Sequence, residues 1–159
     1  MELVTAARRH ALKQDSIKNL VLDRVFKHKL RLFNDDGEPM ALEGTGWTAL
    51  VFKSASGWAA AERTKTSEYP ILVVECWADH SRQPDDSHAL KLDQADRAQQ
   101  LWREVDRVFH VASGEHQRWP DSPGGLYIEG STRSREPDGP LEIDGVAVVR
   151  GTYNIKTFH

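Results

Sequence analysis

The side chains able to do chemistry fall into a few small groups. Asp79 and His80, with Asp85, Asp86 and His88 shortly after them, supply the hard and borderline donors that a divalent metal takes. They follow an apolar run, however, and polar residues after a strand are normally a solvated loop. His-Glu-x-x-His and Cys-x-x-Cys spacings are both missing from the sequence. Cys76, the single cysteine, lies within Ile71-Leu72-Val73-Val74-Glu75-Cys76-Trp77, so a buried thiol is expected and not a nucleophile beside a base. The sequence contains no Gly-x-Ser-x-Gly elbow, no Gly-Lys pair and no Gly-x-Gly-x-x-Gly, and Gly44-Thr45-Gly46 reads as a turn. Carboxylates are plentiful enough to pair in space, which spacing alone does not reveal. We therefore expect no catalytic residue, no cofactor and no resident metal. A pocket, if one serves function, is expected around Glu75, Asp79 and His80.

Binding side chains are more numerous. Lys27, His28, Lys29 and Arg31 form one basic run, and Arg8, Arg9 and Lys13 another. Trp58 and Trp119 fall in segments that read as loops, where a large aromatic either folds back onto its own domain or anchors a partner. These two tryptophans and Arg118 are the candidate interface residues.

The elements that must position these groups follow from periodicity. Glu2 to about Leu12 favours helix, with Leu3, Ala6, Ala7, His10 and Ala11 on one face. Asp15 or Ser16 is expected to cap a short second helix running to Leu22. Val25–Phe33 and Gly46–Lys53 read as strands on either side of the turn chemistry of Asn34–Pro39, and both faces of the second carry apolar groups. Ser54–Glu68 is a polar loop with room for a helical turn at Ala59–Ala61. Tyr69–Ala78 is the strongest strand, its unbroken aliphatic run suited to a central position. In Asp93–Ala112, Ala98, Leu101, Trp102, Val105, Val108, Phe109 and Ala112 recur every three or four residues, which makes one helical stripe. Gly114 is placed to end that helix. Leu126–Ser131 and Val146–Phe158 complete the strands, separated by a Pro/Gly-rich turn over Glu136–Pro140. The expected fold is α+β: a mixed, largely antiparallel sheet of about five strands with helices packed on it.

At 159 residues the chain has the length of one ordinary domain, expected to span 1–159, and folding can bury roughly two thirds of its unfolded surface. A 39% apolar and 28% charged composition is globular, and a net charge of −3 gives no overall pull towards nucleic acid or anionic membranes. No stretch approaches the ~18 apolar residues of a membrane helix. Charge near the N-terminus stands where a signal peptide needs apolar residues, so synthesis in the cytoplasm is expected.

The segment Tyr69-Pro70-Ile71-Leu72-Val73-Val74-Glu75-Cys76-Trp77-Ala78-Asp79, followed by a polar break and the helix Asp93–His110, resembles the tail terminator (tail completion) proteins of long-tailed phages. Asp23-Arg24-Val25-Phe26 is similar to an early Asp-Arg-Val-aromatic element of that family, and Val146–Phe158 to its closing strand. The resemblance spans about residues 16 to 157. It implies a mixed α/β subunit that forms a hexameric ring on the tail tube, halts tube polymerisation and offers the head-side connector a joining surface. Its partners would be further copies of itself, the major tail tube protein and the connector, with DNA passing through the lumen without specific binding. The location implied is the virion, after assembly in the host cytoplasm. Another neck or minor tail component, of head-closure type, would share the pattern. A small enzyme or ligand-binding domain is the alternative from a different class.

Overall fold

The computed structural model describes residues 2–30, 47–55, 70–79, 87–112, 114–143 and 146–157, with side chains in the third helix described from Asp93 onward. The Asn34–Pro39 turn, Gly44–Gly46, the Ser54–Glu68 loop beyond Ala55, Arg31, Trp58, His80, Asp85, Asp86 and the His88 side chain lie outside the described residues.

Two helices open the chain: α1 (Leu3–Leu12) and α2 (Asp15–Val21). On α1 the buried set is Val4, Ala6, Ala7, His10 and Ala11, an apolar face interrupted by one imidazole. The cap expected from Asp15 or Ser16 does not form: Gln14 holds the N-cap position, without a side-chain hydrogen bond. Asp15 instead sits in the first turn, where its charge suits the positive end of the helix dipole. At the other end of α2, Arg24 N–H donates to Val21 C=O at 3.0 Å across Leu22, whose φ of 57° and ψ of −115° match the first central position of a type II′ turn. Glycine is the residue this conformation favours. Leu22→Gly is therefore expected to stabilise the isolated subunit by about 0.5 kcal/mol, since relief of ~1–2 kcal/mol of left-handed strain exceeds the entropy that glycine adds to the unfolded chain. A urea midpoint unchanged or lowered in the variant would show that the leucine is not strained.

The strands are β1 (Val25–Lys27), β2 (Thr48–Ser54), β3 (Ile71–Ala78), β4 (Gln117–Trp119), β5 (Leu126–Arg133), β6 (Asp138–Ile143) and β7 (Val146–Thr157), with the long helix α3 (Ser87–Phe109) between β3 and β4. They form one sheet in the order β1-β2-β3-β7-β5-β4, and β6 also pairs with β7. All the pairings are antiparallel except β1 with β2, so the mixed α+β architecture expected from the sequence is the one found. The sheet has seven strands, however, not about five. The centre is β3 against β7, from Ile71↔Asn154 to Ala78↔Ala147. On the opposite side of β7, β6 pairs along Val146–Arg150 and β5 along Tyr153–Thr157. β5 and β6 thus act as one long interrupted partner of β7.

The two unexpected strands were hidden for different reasons. β4 is three residues, two of them polar, too short to show alternation. β6 contains Gly139 and Pro140, which the sequence reading placed in a turn. A proline is tolerated in a strand where the ladder is already broken, and the pairing with β7 shifts register between Asp138 and Leu141.

All three helices contribute to a core on one face of the sheet. Val4, Ala7, Ile17 and Val21 from α1 and α2, and Ala98, Leu101, Trp102, Val105 and Phe109 from α3, meet Leu50, Phe52, Leu72, Val74, Cys76, Val149, Tyr153 and Ile155. The expected stripe of α3 is thus the buried one as far as Phe109, with Val108 at its margin. The helix begins at Ser87, six residues before Asp93, and stops at Phe109, short of Ala112. Val111 has already left it to form a bridge with Ser131. Gly114 has the expected left-handed φ of 92° but serves the following loop. Tyr153 Oη donates to Asp106 Oδ1 at 2.7 Å, which fixes the helix over β7. The opposite face is also buried at Ala49, Val51 and Val148, so β2 carries buried apolar groups on both sides as its sequence implies, while Ile71, Val73 and Trp77 of β3 are half-buried on that face.

Candidate functional site

The residues expected to share a pocket do not converge. Glu75 lies in the middle of β3, 1% exposed, on the face away from the helices. Its Oε2 accepts from Arg150 Nε at 2.8 Å and Nη2 at 2.7 Å, and its Oε1 accepts from Lys53 Nζ at 3.0 Å. Trp77 Nε1 adds a long contact of 3.4 Å. This cluster ties β2, β3 and β7 together through one carboxylate and leaves the carboxylate no face for a substrate. Asp79 turns to different partners: its Oδ1 accepts from Gln94 Nε2 at 3.2 Å and its carbonyl from Arg97 Nη1 at 2.7 Å, both on α3. Its role is to join the end of β3 to the helix. Among the described residues no group of three His, Cys, Asp or Glu side chains could hold a metal ion. Cys76 is buried, and burial together with the neighbouring Glu75 pushes its thiol up, away from the reactive thiolate.

Glu75→Ala is expected to cost about 1–2 kcal/mol. The value is below that for breaking a sealed ion pair (~3–5 kcal/mol), because the Lys53 and Arg150 side chains are 38% and 36% exposed and can turn to water. A loss above ~3 kcal/mol in chemical denaturation would show that both cations are trapped.

The described residues do enclose a concave site, at the end of the molecule where α1, α3 and β4 meet. His10, Gln14, Arg107, Val108, His116, Gln117, Arg118, Asp121 and Tyr127 line a cavity of about 610 Å³. Arg118 is an exposed part of its wall. Trp119 is placed differently from the expectation. It is 0% exposed, stacks on His10 at 5.5 Å and meets Phe109 edge-on at 4.9 Å. As part of β4 it belongs to the core, so it is not a surface anchor; alternation along a strand turns Trp119 inward and its neighbour Arg118 outward. Trp58, the third interface candidate, lies outside the described residues. Neither His10 nor His116 is among the candidate site residues of the sequence, although His10 lies on the face expected to be buried. His116 Nδ1 meets Tyr127 Oη at the rim, and Arg107 Nη2 donates to Ser16 Oγ at 2.8 Å and pairs with Glu104 at 2.9 Å. Only the position of His10 among the apolar residues of α1 could have signalled its burial.

The two basic runs, separate in sequence, come together. Arg8 Nε donates to Val25 C=O at 2.8 Å and Lys27 Nζ to Thr5 Oγ1 at 3.2 Å, which lays α1 along β1. Lys27, His28 and Lys29 are exposed, as is Arg9 on α1.

No family model matches the chain, and no curated protein does. Among solved structures, one chain of the virion of a native gene transfer agent particle is similar, with 14% identity and a TM-score of 0.46 over 98% of this chain and 93% of that chain. A likeness of that strength carries no argument for function. Among the described residues the molecule has an ion-paired sheet centre, a polar cavity beside His10, and sheet edges with distinct surface chemistry. Among the described residues no helix is long and apolar enough to cross a membrane.

Proposed function

We propose that this chain is a tail terminator of a long-tailed phage. It is a structural subunit of the virion, without catalysis or cofactor, whose copies close into a hexameric ring on the tail tube. The ring stops tube growth and presents the surface to which the head-side connector joins. The observation that carries the reading is the arrangement of the segments that resemble that family. Residues 69–79, 93–110 and 146–158 contribute the central strand β3, the helix α3 across it and the adjacent strand β7. Segments that resemble one family in separate stretches of sequence thus form one packed unit here. The chemistry of such a protein is reversible association, which fits a site made of edges and side-chain patches.

Light scattering of the purified protein over a range of concentrations, with and without tail tubes, tests the proposal. A ring-sized mass, alone or in the presence of tubes, is the expected result. A monomer at every concentration that also ignores tail tubes would overturn it and turn attention to the cavity beside His10 as a ligand site.

A further inference from the structure

A ring needs two different surfaces on each subunit, because the contact that closes it is head-to-tail. Among the described residues the sheet supplies two such surfaces at opposite edges. One row of paired residues crosses it from edge to edge: Phe26↔Val51, Val51↔Glu75, Glu75↔Arg150 and Arg150↔Asp138. Phe26 on β1 and Asp138 on β6 are therefore the two ends of a single row, four strand spacings or ~19 Å apart.

The two ends differ in charge. From Leu22 to Lys29 the β1 edge carries exposed Lys27, His28 and Lys29 against one exposed acid, Asp23, with exposed Arg9 nearby on α1; Arg24 is half-buried and donates to Thr48 C=O at 2.8 Å. At the other end, β6 and the turn before it carry Glu136, Asp138 and Glu142 against Arg135 alone. The local pairs there, Arg135 with Asp138 at 3.1 Å and Arg133 with Glu136 at 3.7 Å, are exposed and hold their acids weakly. The strand directions match the charges. β1 runs parallel to β7 through β2 and β3, and β6 runs against β7, so Lys29 extends from the row in the direction in which Glu136 lies.

Each edge also carries an exposed apolar side chain on the other side of the row. Leu22, 56% exposed, precedes β1, and Leu141, 42% exposed, lies on β6 opposite Val148. They are the only large hydrophobic residues so exposed among the described residues. Leu22 keeps its exposure at a strained turn position, the kind of local cost that persists where a residue serves a contact.

Backbone pairing between the two edges is hindered. Val25 C=O is taken by Arg8, Val25 N–H by Asp23 C=O and Lys27 C=O by Lys29 N–H, while Pro140 has no N–H to give. Guarded edges of this kind prevent open-ended sheet growth and leave the contact to side chains.

We propose that the basic β1 edge of one subunit docks on the acidic β6 edge of the next copy, with Lys27 and Lys29 facing Asp138 and Glu136, and Leu22 and Leu141 forming the apolar part of the contact. The proposal rests on the ring-forming reading above and names the surfaces that form the ring.

The test uses two charge-reversal variants of the full chain, Lys27→Glu/Lys29→Glu and Glu136→Lys/Asp138→Lys, with solution mass as the readout. Each alone has two like-charged edges and is expected to lose the ring. An equimolar mixture, in which unlike edges meet again, is expected to regain it. Should either variant melt early, Lys27→Gln/Lys29→Gln and Glu136→Gln/Asp138→Asn replace them, with at least a 10-fold weaker association expected at low salt. Rings that persist in both variants overturn the interface while leaving the ring reading intact. A wild-type protein that is monomeric with and without tail tubes removes both. A basic-edge variant that keeps its ring but no longer retains a labelled random-sequence DNA duplex assigns that edge to nucleic acid and overturns the docking proposal.

Discussion

Trp102→Ala is expected to cost about 3–5 kcal/mol. Trp102 is 7% exposed on the inward stripe of α3, tilted over Tyr153 at 5.8 Å. Directly beneath its ring is Gly151 of β7. A Cβ at that glycine would stand 2.0 Å from Trp102 Cη2, 2.3 Å from Cζ3 and 2.9 Å from Cζ2. The helix therefore reaches the sheet at a point where the strand has no side chain, which explains a glycine in the middle of the longest strand. Gly151→Ala is expected to cost ~1–3 kcal/mol by overpacking when tryptophan is present, and nearly nothing once Trp102 has become Ala. Urea unfolding of the two single variants and the double variant measures that coupling. Additive losses would mean that ring and glycine are not in contact, and would displace the register of α3 on β7.

How much of this was legible depended on how many residues shared a signal. The α3 stripe repeats over several turns and the aliphatic run of β3 is continuous, so each announced its element and its buried face. Gly151 gave no such notice: its reason is a tryptophan forty-nine positions away in sequence, and only the packing of α3 onto β7 reveals it. The same holds for the pairing of Glu75 with Lys53 and Arg150, which join three strands whose order the sequence does not state. The tryptophan signal was ambiguous by nature. An aromatic in a polar segment fits a surface anchor and a short edge strand equally, and at Trp119 the strand took it inward. Charge runs showed their sign in the sequence but not their neighbours. That the basic run lies at one end of a cross-sheet row and the acidic β6 at the other depends entirely on topology.

A protein held together in this way should also lose stability as the pH falls from about 6.5 to 4, through one residue. His10 is 5% exposed, stacked on Trp119 and edge-on to Phe109 at 5.5 Å. Burial lowers its pKa from 6.5 to about 4, with Lys13 adding to the fall and Asp121 opposing it. Arg107, Arg118 and His116 line the same cavity. The folded state thus favours the neutral imidazole, while the unfolded chain takes up a proton near its ordinary pKa. Above pH 6.5 both states are neutral and nothing is lost. Between the two values only the unfolded state gains the proton, so stability falls by about 3 kcal/mol across the window, roughly 2 kcal/mol of it by pH 5. Below pH 4 both states are protonated and His10 contributes no further change. His10→Leu should abolish this slope. It should also gain about 1 kcal/mol at pH 7, because the buried Nδ1 has no hydrogen-bond partner among the described residues and its removal relieves an unsatisfied polar atom. Urea midpoints at pH 7 and pH 5 for both proteins decide the matter. A wild-type midpoint that does not move between them means that His10 titrates normally and is not sealed between the two rings. A slope that survives in His10→Leu assigns the acid sensitivity to another group.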